Sequence, residues 1–379
     1  MTRVLPLWYM VALLCLASGN SQAQASPRIP SSTHYGSLPM RESQASHSVV
    51  QAQSASAATL PLWSYSTASS IDGKTYQGQI VGRSPFYHGQ RSTSVTVYLV
   101  PVAFTLSDSG TVFDPTAPDG CLGNSTVLDT VQQSPLFNST QYVMNGVETG
   151  NTQYIDAFQR ANFWTNVSVA GNSYHTLLKV KTASVQRVTV PLGDGFTAQG
   201  SCPFANIDLT WWDNYIRATL MPELASQGID PTTFPLFLSD SVRVFSSDSG
   251  ALLYGYHSAY MPSGVLQTYG YAEFNTAGTD DKDISIISHE LAEWLNDPMV
   301  SNPTPAWGHV GEVFGCESSL EVADPLTGTY IPVPLNGFNY NVQELVFFSW
   351  FYRQSPSLGA GGIYSDNGTM TSTAGPVCI

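Results

Sequence analysis

The sequence has few charged residues, and most of those are acidic. Charged side chains make up 11% of the 379 residues, and 14 Lys and Arg stand against 28 Asp and Glu, which gives a formal net charge of −14. Nucleic-acid binding requires clustered Lys and Arg that follow the phosphate backbone. The composition therefore argues against nucleic acid as a partner and favours a strand-rich protein with a largely neutral surface.

Long apolar runs are also lacking, except near the amino terminus. Residues 7–17 are apolar, Arg3 precedes them and small residues follow up to Ala25, which is typical of a secretory signal peptide over residues 1–25. No later segment is long and apolar enough to span a bilayer. We therefore expect a secreted, extracellular protein with no membrane span.

A flexible leader is expected after the signal peptide. Residues 26–59 are rich in Ser, Ala and Gln and show no sustained apolar period, so they cannot bury enough surface to offset their ordering entropy. Residues 60–379 are numerous enough for one large domain with a real core, and a subdivision near residue 200 is the alternative.

Cysteine is scarce. Cys15 lies in the expected signal peptide, which leaves Cys121, Cys202, Cys316 and Cys378. An even number of thiols in an exported protein indicates disulfides, and four cysteines allow three connectivities. Order along the chain favours Cys121 with Cys202 and Cys316 with Cys378. The sequence also lacks a G-x-S-x-G motif, so a hydrolase serine is not indicated.

The apolar patterns predict strands and helices in alternation. We expect strands at residues 92–106, 233–245 and 266–275. Helical spacing occurs at residues 152–164, 207–228 and 283–297, with a shorter candidate at 342–353. This order predicts the α+β class, with a mixed sheet backed by helices and a strand-rich amino-terminal part.

The segment "DISIISHELAEWLND", residues 283–297, predicts an amphipathic helix. At 100° per residue, one side of the helix is apolar and the other is polar. The apolar side contains Ile284, Ile287, Leu291 and Leu295, and the polar side contains His289, Glu290, Glu293, Asn296 and Asp297. His289 and Glu293 are four residues apart, close enough to bind one metal ion. Glu290 lies at the margin of this polar side, where it can hold a metal-bound water without itself binding the metal ion.

The pattern His-Glu-x-x-Glu in "SHELAEW" resembles the H-E-x-x-H helix of the zincin metallopeptidases, in a gluzincin-like form. With the downstream "GEVFGCE", it is also similar to uncharacterised secreted proteins of zincin type and, more distantly, to plant phosphate-induced (EXORDIUM-like) proteins. The resemblance implies a zincin-like domain over residues 60–379. It further implies that His289 is a zinc ligand and that Glu290 is the catalytic general base.

The chain departs from the zincin pattern at Glu293, which stands where the second histidine ligand is expected. We expect metal ligation by His289, Glu293 and Glu312, with His309, Glu317 and Asp324 as alternatives to Glu312. One imidazole and two carboxylates neutralise Zn²⁺, so Ca²⁺ and Mn²⁺ are alternatives to Zn²⁺. His257 and His175, in strand-like surroundings, are expected to be structural, with a supporting role at the site as a minor alternative for His257.

Two functions follow from these residues. The first is a secreted zinc metalloendopeptidase in which Glu290 activates a metal-bound water, and "TYGYAEFN", residues 268–275, offers an edge strand to an extended peptide substrate. The second is a non-catalytic extracellular or cell-envelope interaction protein that retains a zincin-like fold. A helix whose polar face is simply solvated, without any metal, is the remaining interpretation.

Overall fold

The computed structural model describes residues 59–379, except 248–249, 280, 309, 311–314, 374–377 and 379. The expected signal peptide and all but the last residue of the expected leader lie outside the described residues. The strands are β1 Leu62–Ala68, β2 Thr75–Val81, β3 Ser92–Leu106, β4 Val112–Phe113, β5 Thr140–Met144, β6 Val147–Thr152, β7 His175–Thr182, β8 Gln186–Val190, β9 Gly195–Gln199, β10 Pro203–Asp208, β11 Thr233–Asp240, β12 Val242–Phe245, β13 Leu252–Leu253, β14 Gly255–Tyr260, β15 Gln267–Phe274, β16 Pro303–Gly308, β17 Cys316–Ser319, β18 Tyr330–Leu335 and β19 Phe338–Gln343.

The helices are short, and the longest is α6 with 12 residues. The α-helices are α1 Val127–Gln132, α2 Tyr154–Asn162, α3 Trp164–Val167, α4 Leu209–Tyr215, α5 Met221–Leu224, α6 Ser285–Asn296 and α7 Phe348–Phe351. A π-helical turn, Ile216–Leu220, joins α4 to α5. Short 3₁₀ turns lie at Gly120–Leu122, Ala225–Gln227, Pro262–Gly264, Asp324–Leu326 and Ala360–Gly362.

A mixed sheet forms the centre of the fold. Its strands run in the order β14, β15, β11, β3, and β3 then pairs with β7 along its first half and with β8 and β4 along its second. The pairs among β3, β7, β8, β11 and β15 are parallel, whereas β14 is antiparallel to β15. This arrangement confirms the predicted α+β class with a mixed sheet.

The two faces of this sheet carry separate apolar layers because side chains alternate along a strand. On β3, Val95, Val97 and Leu99 point into the layer that contains α2 and α6. Tyr98 and Val100, the alternate residues, point into the layer that contains α4 and α5. The sheet therefore separates the two helical layers, and α6 lies on one face of it.

Three of the four predicted helices, at residues 152–164, 207–228 and 283–297, form close to their expected bounds, and the fourth is wrong over most of its length. Helical turns run from α4 to the 3₁₀ turn Ala225–Gln227 and end at Gly228 (φ 84°), as the sequence predicts. The candidate at residues 342–353 is helical only over α7. Its earlier residues are extended, because the N–H groups of Val346 and Phe347 donate to the carbonyls of Val322 and Tyr364 instead of forming helical bonds.

Both predicted disulfides are present. Cys121–Cys202 joins the 3₁₀ turn after β4 to the start of β10, and Cys316–Cys378 joins the start of β17 to the carboxyl-terminal segment. Within residues 59–379 as described, no helix has the length and apolarity needed to cross a membrane. The disulfides are compatible with the expected secretion.

Candidate metal centre

Helix α6 is buried on all sides. Its twelve residues are all buried, including His289, Glu290 and Glu293. The apolar side packs into the sheet layer, where the Trp294 ring stacks on the Phe234 ring with centroids 4.0 Å apart. The polar side is covered by other parts of the chain, so the interpretation of a solvated helix face is wrong.

Three segments cover the polar side of α6. They are β14, the segment from β17 to the 3₁₀ turn Asp324–Leu326, and the end of β19. The first contributes His257, the second contributes Glu321 and Asp324, and the third contributes Gln343. Together with α6 they enclose two imidazoles and several carboxylates.

The orientation of His289 is fixed by Gln343. The His289 Nδ1–H donates to Gln343 Oε1 at 3.0 Å, and Gln343 Nε2 in turn donates to the Ala323 carbonyl at 2.5 Å. The other ring nitrogen, Nε2, lies 3.0 Å from Glu293 Oε2 and 3.4 Å from Asp324 Oδ1. Such an outer hydrogen bond sets the tautomer that leaves Nε2 to serve as a ligand.

Glu293 is held by two backbone donors. Its Oε1 accepts hydrogen bonds from the N–H groups of Ala323 and Asp324, each at 3.2 Å. Because Oε1 is occupied in this way, Oε2 turns toward both imidazoles, 3.0 Å from His289 Nε2 and 3.8 Å from His257 Nδ1. Glu293 Oε2 is thus the central oxygen of the cluster.

Glu290 lies against β14. Its Oε2 is 3.3 Å from His257 Nδ1, and His257 Nε2 lies 3.2 Å from the carbonyl oxygen of Asp297. A carbonyl can only accept, so Nε2 carries the proton of the His257 ring. Burial lowers the pKa of His257 to about 3, and the ring is therefore neutral. Within the described residues, Glu290 Oε1 has no hydrogen-bond partner.

Burial disfavours the many negative charges of this cluster. It raises the pKa of Glu290 and Glu321 well above the ordinary value, and it raises the pKa of Asp297 to about 7. For His289, burial opposes the charged form, but the Glu293 and Asp324 carboxylates outweigh it and raise the pKa well above 6.5. The field that favours a proton at His289 also favours a metal cation there.

The ligand atoms have spacings that suit a shared divalent ion. Two atoms that each lie about 2.1 Å from one Zn²⁺ at the tetrahedral angle are about 3.4 Å apart. His289, Glu293 and Asp324 offer atoms 3.0 and 3.4 Å from His289 Nε2, and these three residues form one group that could hold a metal ion. His257, Glu290 and Glu293 form a second such group.

The structure brings some of the predicted site residues together and does not describe others. His289, Glu290 and Glu293 lie together, and Asp324, one of the alternatives for the third ligand, joins them. Glu312 and the alternative His309 lie outside the described residues. The pKa of Glu317, another alternative, is raised to about 7 by burial and by the nearby carboxylates of Asp324 and Glu293, but its oxygens belong to neither group.

Two residues of the site are not evident from the sequence. The sequence predicts a structural His257 and gives a supporting role only as the minor alternative, whereas the structure places His257 Nδ1 3.3 Å from Glu290 Oε2. Gln343 occurs at the end of a strand that carries no recognisable motif, and sequence patterns give no signal for it. His175, in contrast, pairs with Asp156 at 2.7 Å, away from this cluster.

The strand predicted to form an edge is interior. β15, which contains most of "TYGYAEFN", lies between β11 and β14, and all eight of its residues are buried. Among the described strands, β14, which carries His257, is the edge strand at this end of the sheet. Residues of both strands are buried on both faces, and both strands contain polar residues, so the sequence pattern does not distinguish the edge strand from its neighbour.

Close contact between β14 and α6 requires a glycine, which gives a test of this packing. A Cβ added at Gly255 would lie 2.8 Å from Glu290 Cγ, from Glu290 Oε1 and from Ile286 Cγ2. We expect Gly255→Ala to lower the free energy of unfolding by about 1–3 kcal/mol, since overpacking forces the helix and strand apart. Denaturant unfolding measures this change. Gly120→Ala is the control, because a Cβ there meets no atom within 4 Å; equal stability of the two variants would contradict the packing.

Comparisons with known proteins give no relative for this chain. It matches no protein-family model, no curated protein and no solved structure. Functional inference therefore depends on the residues and geometry of the site.

Proposed function

We propose that this protein is a secreted, metal-dependent peptidase of zincin type, in which His289, Glu293 and Asp324 hold Zn²⁺. The observation that carries the proposal is the position of His289 Nε2. Gln343 orients the ring from the far side, and Nε2 faces carboxylate oxygens of Glu293 and Asp324 at 3.0 and 3.4 Å. The ion supplies Lewis acidity toward a water and a substrate carbonyl.

Glu290 is the proposed general base. It is adjacent to His289 on α6, and its Oε1 is available to accept a proton from water because no described residue donates to it. The glutamate that follows the first histidine of such a helix is placed to accept a proton from a water at the ion.

The substrate is proposed to be an extended peptide that adds to β14. Among the described strands β14 pairs only with β15, so its second edge presents backbone donors and acceptors beside Glu290 and His257. The Asp324 side chain is 10% exposed, against 0 and 1% for His289 and Glu293, so solvent approaches the site from the side of Asp324.

The test is chelator-sensitive cleavage of a peptide library by the purified protein. We expect EDTA to stop cleavage and Zn²⁺ to restore it. Glu290→Gln should lower the rate at least about 100-fold, because a general base contributes this much or more, while His289, Glu293 and Asp324 still bind an ion. Glu223→Gln, at an exposed glutamate on α5, is the matched control. Cleavage that persists in EDTA or in Glu290→Gln would overturn the mechanism.

A second candidate is a non-catalytic extracellular interaction protein that retains a zincin-like fold. The burial of His289 and Glu293 favours it, because a fully enclosed ion would be structural. The carboxylate-rich ligands also suit Ca²⁺ or Mn²⁺. Bound metal without turnover of any library peptide would support this candidate, and elemental analysis of the same sample identifies the ion.

A further inference from the structure

We propose that a second divalent cation binds beside the first, held by His257 Nδ1, Glu290 Oε2 and Glu293 Oε2. The proposal deepens the proposed function and rests on it, because Glu293 is shared with the first position. The resulting centre would hold two ions bridged by the Glu293 carboxylate.

The distances at the second position resemble those at the first. His257 Nδ1 lies 3.3 Å from Glu290 Oε2 and 3.8 Å from Glu293 Oε2. Ligand atoms around one tetrahedral Zn²⁺ are about 3.4 Å apart, and larger ions accept wider spacings. All three residues are buried, and each lies on a regular element, β14 or α6, which fixes its direction.

The tautomer of His257 directs a lone pair into this position. Its Nε2 must donate, because its neighbour at 3.2 Å is the Asp297 carbonyl oxygen. In a neutral ring Nδ1 is then an acceptor, and it faces two carboxylate oxygens that are also acceptors. Three acceptor atoms that face one another repel, and a cation between them would replace this repulsion with attraction.

Glu321 adds buried negative charge on the Nε2 side of the His257 ring, away from Nδ1. Its side chain is fully buried, and neither of its carboxylate oxygens has a hydrogen-bond partner in the described part of the chain. Its Oε2 lies 3.9 Å from His257 Nε2. Glu293 and Asp324 can neutralise one divalent ion, and Glu290 with Glu321 provides the charge for a second. Neither Lys nor Arg forms an ion pair with any of these four among the described residues.

A shared Glu293 gives a physical reason for the departure from the zincin motif. A histidine at this position offers one lone pair and can bind one ion, whereas a carboxylate oxygen can bridge two. Its other oxygen, Oε1, is engaged by the N–H groups of Ala323 and Asp324, so Oε2 does the bridging. Two-metal sites typically place their ions about 3.5–4 Å apart. The second ion would restore the Lewis acidity that a single carboxylate-rich site lacks.

The experiment is a count of bound ions in the full chain after chelation and titration with Mn²⁺ or Zn²⁺. We expect two ions per chain in the unmodified protein and in Glu223→Gln, and one in His257→Gln. One ion in the unmodified protein, unchanged in His257→Gln, would overturn the second position and leave the proposed function intact. The absence of any bound ion would overturn both.

A spectroscopic measurement on the unmodified protein covers the case in which His257→Gln does not fold. Two Mn²⁺ ions bridged by one carboxylate couple magnetically, so the electron paramagnetic resonance signal per ion should fall when the second equivalent binds. A signal that grows in proportion to bound Mn²⁺ up to saturation, with the spectrum of isolated ions, would contradict the bridged pair.

Discussion

Glu293→Ala is expected to remove both metal positions and to abolish cleavage. Glu293 is common to the two groups of ligands found among the described residues, so its loss leaves each position with two of these ligands. The N–H groups of Ala323 and Asp324 would also lose their acceptor, at a cost of about 1–3 kcal/mol for each buried donor left unsatisfied. Elemental analysis and a peptide-cleavage assay measure the two effects.

Two matched variants separate ligation from structure at this position. Glu293→Gln keeps an oxygen for the two backbone donors but replaces the charged bridging oxygen, so we expect a stable protein that binds metal weakly. Glu317→Gln removes a nearby carboxylate that belongs to neither group and should retain both ions. If Glu317→Gln lost the ions while Glu293→Gln kept them, the ligand assignment would be wrong.

Removal of the ions by EDTA is expected to lower the melting temperature by about 10 °C or more. An ion at 1,000 times its dissociation constant stabilises the folded state by about 4 kcal/mol, so two ions contribute about 8 kcal/mol, and each kcal/mol corresponds to about 2 °C or slightly less in a domain of this size. Without the ions, the carboxylates of Glu290, Glu293 and Glu321 would remain buried together. Calorimetry with and without EDTA measures the change, and the His257→Gln variant should show about half of it.

The fall in melting temperature caused by EDTA should be larger at pH 8 than at pH 5. Burial raises the pKa of Asp297 and of Glu317 to about 7, from ordinary values of 3.8 and 4.5. The folded chain then binds more protons than the unfolded chain between these values. Their contribution to stability is present at low pH and is lost as the pH rises through about 7. Bound cations offset this loss, so EDTA has less effect at pH 5; an equal drop at both pH values would contradict the electrostatic account.

Local patterns in the sequence were sufficient to predict helix α6 and its polar side. The 3.6-residue period placed Ile287 and Leu291 opposite His289 and Glu293, and the structure has α6 at Ser285–Asn296 within the predicted residues 283–297. The long strand at residues 92–106 was equally clear, since its apolar run is continuous. The disulfide pairs followed chain order, which the structure confirms.

The sequence was a poor guide where backbone groups bond to distant segments. Residues 344–347 have the apolar composition of a helix, yet their N–H groups pair with residues more than ten positions away. The choice of edge strand was wrong for a related reason. β14 and β15 both have buried side chains, and only the pairing of β15 with β11 shows which of them is interior.

The sequence by itself therefore determined helix α6, with His289, Glu290 and Glu293 on one side, because those positions depend on helical geometry alone. Only the tertiary structure decided what faces that helix. Gln343 is 54 residues from His289, His257 is 33 from Glu290, and Asp324 is 31 from Glu293. Their approach depends on strand order and on the packing of β14, β19 and the segment after β17 around α6, which no local period encodes.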